Sequence, residues 1–351
     1  MKRKIFRILS IIFLNIILSL LFLELFLRVN PKFGYVYNAF KVDSVKADFM
    51  ALQPSKLLGY EHVPNLDCPA AKIKTNSYGL IGKEYGFHKD KETFRILVLG
   101  DSIAAQGFSC DFLEDYLNKS SNVLSQSRYK NFQIWNAGVT SYDVRRYAIY
   151  LENSGINYKP DIVLIFFCLN DFDLDINTYY KTKDGADRYY FPVSEVSKMY
   201  NVSPLLMKYS HLYRFITLKL NSYLFSKKKT QKGIDPLEEN GRHYLGKIKE
   251  ICGRHKIPLF TVIFPYLMPF DEYSDYQKKE YQTICKVAKD LQVSYLNLRD
   301  YLPEKDIKNL RMMNEDYMHP SREGHQIIAS LIYSYLQASF FNTKKFKITM
   351  D

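Results

Sequence analysis

The chain has 351 residues, of which 47% are hydrophobic and 25% are charged. These fractions lie close to globular averages, so they exclude a disordered or low-complexity chain, and the length allows two domains or one domain with additions. The 49 Lys and Arg residues exceed the 37 Asp and Glu residues, which gives a net charge of +12. No basic recognition helix stands out, so we expect a solvated basic surface and no nucleic-acid partner.

A long apolar segment opens the chain. It follows the sequence Met-Lys-Arg-Lys, extends over residues 5–27 and carries no charge between residues 8 and 23. At about 1.5 Å per residue, a helix of this length crosses a hydrocarbon core of about 30 Å. A cleaved signal peptide is the alternative, but it would end at a small-residue cleavage site, which this segment lacks. We therefore expect residues 1–28 to be an uncleaved, single-pass signal anchor that leaves the rest of the chain outside the cytoplasm, periplasmic or extracellular.

From residue 92 onwards, short apolar runs alternate with amphipathic stretches. The pattern predicts strands at 94–100, 132–136, 161–168, 258–264 and 294–298, and helices at 110–117, 142–153, 236–255, 275–291 and 322–336. Nearly continuous apolar strands that alternate with helices indicate a parallel sheet covered on both faces. We therefore predict an α/β fold with three layers.

The remaining segments surround this predicted domain at 92–340. Residues 29–91 are mixed, loop-like and punctuated by Gly and Pro, so we expect an N-terminal extension there. A Tyr- and Lys-rich stretch at about 174–235 separates the third strand from the next helix. We interpret it as an insertion above the sheet, partly helical near 203–224. The basic end of the chain, 341–351, is predicted to be a tail.

Polar residues follow the predicted strands where each strand ends. Ser102 follows the first strand within Gly-Asp-Ser, Gly138 follows the second within Asn-Ala-Gly, and Asn170 follows the third. Asp316 and His319 lie three residues apart, just before the last helix. Each motif alone is also typical of a helix cap or a turn. The carboxyl ends of parallel strands meet at one edge of a sheet, however, so we expect these residues to gather there.

Together these residues would make a complete acyl-transfer site. Ser102 would be the nucleophile, His319 its general base, and Asp316 the acceptor that orients the imidazole. The backbone N–H groups of Ser102 and Gly138 and the side-chain amide of Asn170 would donate to the oxyanion of the tetrahedral intermediate. The five cysteines are scattered and include no C-x-x-C pair, so nothing in their spacing indicates a metal site.

The four motifs, in this order, resemble the SGNH (GDSL) hydrolase superfamily, which is named for its Ser, Gly, Asn and His. The resemblance extends over about 92–338. It implies a flavodoxin-like α/β/α sandwich with a five-stranded parallel sheet, and a Ser-His-Asp esterase mechanism with neither metal nor cofactor. Residues 76–84 also resemble a segment of membrane-anchored bacterial members, except that Ile81 stands where those members usually carry Arg.

The sequence thus favours an extra-cytoplasmic serine ester hydrolase that removes acyl groups, acetyl among the candidates, from a carbohydrate or a lipid. One alternative is an O-acetyltransferase that acts on a surface polysaccharide through the same acyl-serine. Another is a non-catalytic carbohydrate-binding or assembly protein on the same scaffold. The sequence leaves the acyl group, the acceptor, the protein partners and the oligomeric state open.

Overall fold

The structure is a computed structural model that describes residues 2–29, 52–68, 73–120, 128–174, 178–181, 187–190, 203, 206, 210–213, 215–216 and 235–341. The chain divides into two units. One unit comprises Met1–Ala47 with Ile176–Lys232, and the other comprises Asp48–Asp175 with Gly233–Asp351.

The helices and strands, numbered in chain order, are α1 (Lys2–Val29), β1 (Leu52–Ser55), β2 (Gly59–His62), β3 (Asp67–Cys68), β4 (Ile73–Lys74), β5 (Thr93–Gly100), α2 (Ser102–Ala105), α3 (Phe108–Lys119), β6 (Asn131–Asn136), α4 (Val144–Asn153), β7 (Ile162–Cys168), β8 (Thr178–Lys181), β9 (Asp187–Tyr190), α5 (Pro236–Arg254), β10 (Leu259–Phe264), α6 (Asp275–Asp290), β11 (Ser294–Asn297) and α7 (Arg322–Leu336).

A five-stranded parallel sheet forms the centre of the second unit. Its strand order is β11-β10-β7-β5-β6. Strands β5 and β7 are buried along their whole length, since helices cover both faces. Helices α3 and α7 pack against each other, as α5 does against α4 and α6. The predicted α/β fold with a five-stranded parallel sheet is confirmed. The strand order is flavodoxin-like, and it reverses between β5 and β7, the point at which such sheets bind their ligands.

The pattern beyond residue 92 predicts the regular elements of this unit closely. Each predicted strand and helix is present, with ends within two residues of the expected positions. Helix α4 begins two residues late because Asp143 is its N-cap and accepts a hydrogen bond from the Arg146 N–H. The pattern did not predict the short helix α2 or the paired strands β1–β2, β3–β4 and β8–β9. Most of the helical prediction at 203–224, and the tail beyond 341, lie outside the described residues.

Part of the N-terminal extension packs against β6 within the second unit. The Ile81 N–H donates to the Asn136 carbonyl at 2.9 Å, so the extension adds one antiparallel bridge at the end of that strand. The rings of Tyr78 and Tyr85 stack on Trp135, with centroids 5.3 and 6.1 Å apart. This segment therefore supports the strand that leads to Gly138. The domain boundaries proposed from the sequence stay predictions.

Helix α1 belongs to the first unit. Within Arg3–Val29, the most apolar window of 18 residues has a mean hydropathy of 2.6, and none of that window is buried. By length and composition it can cross a membrane, and a signal sequence near an amino terminus has the same character.

Candidate active site

Ser102 lies at a sharp turn from strand to helix. Strand β5 ends at Gly100, and Ser102 is the first residue of α2. A Cβ on Gly100 would lie only 2.6 Å from the Ala104 Cβ, so the turn requires glycine there. The buried carboxylate of Asp101 caps the helix by accepting the Ile103 N–H at 2.9 Å. The Ser102 hydroxyl is thereby held, half-buried, at the carboxyl end of β5.

Two hydrogen bonds join the predicted nucleophile to its predicted base and orienting group. The Ser102 Oγ lies 2.8 Å from the His319 Nε2. The His319 Nδ1 lies 2.8 Å from the Asp316 Oδ2. An ionised carboxylate can only accept, so Nδ1 carries the proton and Nε2 of the neutral ring is left to accept the serine hydroxyl. This is the arrangement that general-base activation of a serine needs.

The loop that carries His319 is shaped by the other oxygen of Asp316. This Oδ1 accepts the backbone N–H groups of Met318 and His319, both at 3.0 Å. Burial raises the pKa of Asp316, but these backbone hydrogen bonds and the neighbouring His319 ring lower it more, so the pKa lies below its usual value. The carboxylate therefore stays charged at neutral pH, as an orienting group for an imidazolium must.

Gly138, a predicted oxyanion donor, follows β6 and approaches α2 closely. A Cβ at this position would lie 2.4 Å from the Ala104 Cβ. The Gly138 N–H donates to the side-chain oxygen of Asn136 at 2.9 Å, and the Asn136 amide donates to the Ala104 carbonyl at 2.7 Å. The oxyanion role of Gly138 stays a prediction, and it requires that this N–H exchange its present acceptor for the oxyanion.

Asn170, the other predicted donor, is exposed at the end of β7. Its side-chain amide has no hydrogen-bond partner within the described part of the chain, so it can donate to a bound molecule. The next residue, Asp171, is buried and holds the turn: its carboxyl accepts the Tyr147 hydroxyl at 2.9 Å and the Cys168 N–H at 3.0 Å. Burial, with the nearby charge of Asp101, raises the pKa of Asp171 well above its usual value.

A buried histidine lies just behind the predicted triad. His325 is fully buried on α7; its Nδ1 lies 2.7 Å from the Ser109 Oγ, and its Nε2 lies 2.6 Å from the Gln106 Oε1. An amide oxygen only accepts, so Nε2 carries the proton and Nδ1 accepts the serine hydroxyl. These two hydrogen bonds connect Gln106 and Ser109, which follow the turn at Ser102, to α7, the helix that follows His319. Nothing in the local sequence marks this contact, because its partners are more than two hundred residues apart.

Within the described ranges, no group of three or more His, Cys, Asp or Glu side chains is placed to hold a metal ion. Cys110, Cys168, Cys252 and Cys285 are free thiols. Among the described residues, the side chains that are hydrogen-bonded to the Ser102 hydroxyl are those of His319 and, at 3.4 Å, Asp101.

A protein-family model and several solved structures resemble this chain. The model, described as the GDSL-like Lipase/Acylhydrolase family, matches residues 98–327. A catalytic mutant of an acetylxylan esterase from Geobacillus stearothermophilus has 13% identity and a TM-score of 0.43, over 72% of this chain and 97% of the esterase. A lipase/acylhydrolase from Enterococcus faecalis has 15% identity and a TM-score of 0.40, over 72% of this chain and 100% of that protein. No curated protein sequence matches the chain.

The family match extends over more than half of the chain and includes the turns after β5, β6 and β7 as well as the loop before α7. The same segments hold the hydrogen-bonded serine, histidine and aspartate. The chain therefore belongs to the GDSL-like lipase/acylhydrolase family and is an ester-bond hydrolase.

Proposed function

We propose that the protein hydrolyses acyl esters of a carbohydrate or lipid outside the cytoplasm, through an acyl intermediate on Ser102. The observation that supports this most directly is the continuous hydrogen-bonded path from Ser102 through His319 to Asp316. If these residues were only unrelated caps and turns, we would not expect a serine, a histidine and an aspartate to form one continuous hydrogen-bonded chain.

In the proposed acylation step, the Ser102 hydroxyl gives its proton to the His319 Nε2 while its oxygen attacks the ester carbonyl. The resulting imidazolium is stabilised by the ionised Asp316. The carbonyl oxygen becomes an oxyanion that accepts hydrogen bonds from the side-chain amide of Asn170 and the backbone N–H groups of Gly138 and Ser102. When the carbon–oxygen bond to the leaving alcohol breaks, His319 returns the proton to that alcohol.

Deacylation repeats these steps with water as the nucleophile. His319 takes a proton from the water as it attacks the acyl-serine, and then returns it to the Ser102 oxygen as the acid leaves. The free Ser102 hydroxyl and the neutral His319 ring are thus restored.

We propose further that α1 is an uncleaved anchor with its amino terminus in the cytoplasm. Its length suits a hydrocarbon core of about 30 Å, and the basic residues that precede the apolar stretch favour this orientation. The catalytic unit would then meet acylated envelope carbohydrates or lipids.

Labelling with a fluorophosphonate tests the proposed nucleophile. We expect the full chain in detergent to be labelled on Ser102, and Ser102→Ala and His319→Ala to lose the label. Ser330→Ala is the matched control, because Ser330 is an exposed serine on α7 whose hydroxyl donates to the Ile327 carbonyl. A folded wild-type chain that stays unlabelled would remove the acyl-serine from the proposal.

A series of nitrophenyl esters with acetyl, butyryl and longer chains then defines the acyl group. The same reactions run with an acetylated oligosaccharide and a phospholipid distinguish the two substrate classes. Release of free acid supports hydrolysis, whereas acyl groups that appear on an added sugar and not on water would overturn it in favour of transfer.

A further inference from the structure

The first acidic residue of the chain closes the apolar stretch of α1 and makes unusually many contacts. Glu24 follows a charge-free run over residues 8–23. Its Oε2 accepts the Leu212 N–H at 2.8 Å and the Ser210 hydroxyl at 2.9 Å, while its Oε1 accepts the His211 N–H at 2.9 Å. Arg28, one turn further along the helix, donates to the same carboxylate at 2.7 Å. The partners at residues 210–212 all belong to the predicted insertion.

Burial along α1 changes at this residue. The described side chains from residue 3 to residue 23 are all exposed. Glu24 is half-buried, and Leu27 is only 4% exposed. Among the described residues, the helix is therefore covered by protein only near its carboxyl end, and the rest of its surface is exposed.

The level of Glu24 in a bilayer follows from the length of the apolar run. Residues 5–23 rise by about 28 Å, which is close to the thickness of the hydrocarbon core. A carboxylate is costly inside hydrocarbon, so it is placed at the interface, where hydrogen bonds and a cation can satisfy it. Residues 210–212 lie within hydrogen-bond distance of that carboxylate, so they lie at the same depth, at the interface of the bilayer.

We infer that residues 206, 210–213, 215 and 216 of the insertion form a membrane-surface element, which lies at the level of the lipid headgroups. This inference rests on the proposed anchor role of α1. Leu206 and Ile216, on either side of the contact, expose 45% and 44% of their surface. Apolar side chains at this level enter the headgroup and acyl boundary, and the lipid surface is the partner that covers them.

A consequence concerns the anchor itself. Removal of α1 as a signal peptide would take away the acceptor of three hydrogen bonds from Ser210, His211 and Leu212, together with the buried side chain of Leu27. A targeting sequence that is cleaved off would not be expected to form such hydrogen bonds with the mature protein. The geometry thus makes α1 a permanent part of the unit that contains the insertion, with Glu24 as its attachment point.

Tryptophan fluorescence in vesicles of brominated phosphatidylcholine tests this placement on the full chain. The single native tryptophan, Trp135, is buried and gives the baseline. We expect the added emission of Leu206→Trp to be quenched at least about twofold by bromines near the headgroup, as for side chains that enter the interface. Phe13→Trp, in the middle of the apolar run, should be quenched best by bromines near the chain ends.

The Glu24 contact is tested by combining Leu206→Trp with Glu24→Leu. We expect the quenching at residue 206 to fall back to the baseline, because the insertion loses its attachment. Asn15→Leu is the matched control: the Asn15 amide donates to the Ile11 carbonyl of its own helix, so its loss should leave the quenching unchanged.

The outcomes separate this inference from the proposed function. If Phe13→Trp is quenched and Leu206→Trp is not, the chain is anchored and the membrane-surface element is wrong. If neither is quenched, α1 does not enter the bilayer and the anchor proposal fails as well. Ser102 labelling in the same samples reports the esterase site independently of both.

Discussion

Within the described part of the chain, nothing accepts a hydrogen bond from the Asn170 side-chain amide, whereas the Gly138 N–H donates to Asn136. We therefore predict that Asn170→Ala lowers kcat by about 10²–10³, since the lost donor matters only when charge develops on the carbonyl oxygen, while KM changes little. Steady-state kinetics on a nitrophenyl ester measure the split. Asn153→Ala, an exposed helical asparagine, is the control. A rise in KM at constant kcat would instead make Asn170 a ground-state binding residue.

Asp316 is predicted to act through its charge on the orientation and tautomer of His319. Asp316→Asn keeps the shape of the loop, but its side-chain nitrogen can face the ring and favour the wrong tautomer. We expect kcat to fall by up to about 10⁴ with the melting temperature nearly unchanged. Circular dichroism melting and turnover should be measured on the same preparation. A large loss of stability with normal turnover per folded molecule would show that Asp316 serves the loop alone.

His325 makes the stability depend on pH. Burial, with a smaller contribution from His319, lowers the pKa of His325 from 6.5 to about 4 in the folded protein. The unfolded chain therefore binds a proton at His325 more tightly than the folded protein does. The contribution of His325 to the free energy of unfolding is fully present above pH 6.5 and is lost as the pH falls from there through about 4. The shift corresponds to about 3 kcal/mol of unfolding free energy.

Urea unfolding between neutral pH and about pH 4 checks this expectation. The wild type should lose stability across this range, whereas His325→Gln, which is less stable at neutral pH, should show a flatter dependence. Equal slopes for the two proteins would contradict it.

The sequence marks the residues of the predicted triad because each follows a strand or precedes a helix that the hydrophobic pattern identifies. The sequence does not identify the residues that hold the predicted triad and its turns in place. From its position after a strand, Asp171 would be expected in an exposed turn, yet it is buried and accepts two hydrogen bonds. The bonds of His325 to Ser109 and Gln106 join distant segments. Such contacts depend on the packing of α7 against the nucleophile turn, and no local spacing records them.

At the level of elements, the site is assembled by short connections at the carboxyl edge of the sheet. Helix α2 begins two residues after β5, and the loop after β6 lies directly against it. The Asn136 side chain joins that loop to α2, and its backbone carbonyl accepts the Ile81 N–H. The extension therefore supports the same loop from the other side, which a reading of residues 29–91 as loop-like could not predict.

Two glycines provide a matched test of this packing. Gly138→Ala would place a Cβ 2.8 Å from backbone atoms of α2, so we expect a loss of about 1–3 kcal/mol together with reduced labelling of Ser102. Gly246→Ala, in the middle of α5 with nothing within 4 Å of the added atom, should raise stability by about 0.5–1 kcal/mol. Denaturant unfolding and fluorophosphonate labelling measure both effects. A Gly138→Ala variant with normal stability and labelling would contradict the close packing of this loop on α2.

At the scale of the whole molecule, the apolar helix needs a partner that the described protein does not supply. Its side chains up to residue 23 are exposed, and a contiguous apolar surface of this size is an aggregation hazard in water. A lipid bilayer covers such a surface completely. The pattern predicts this helix from the sequence alone, whereas the proposed role of Glu24 rests on its contacts with residues 210–212.

The basic residues at the start of this helix should set the orientation of the molecule. Positive charges close to the end of a membrane helix favour the cytoplasmic side, so replacing residues 2–4 with Gln should reduce the fraction of chains whose catalytic unit lies outside. The matched control replaces the three lysines at 227–229 with Gln, which removes equal charge at positions that are distant in sequence from the start of the helix. Protease added to intact cells, followed by Ser102 labelling of the surviving chains, measures the fraction that is shielded. We expect more shielded, full-length chains in the first variant only; equal shielding in both variants would mean that these residues do not determine the orientation.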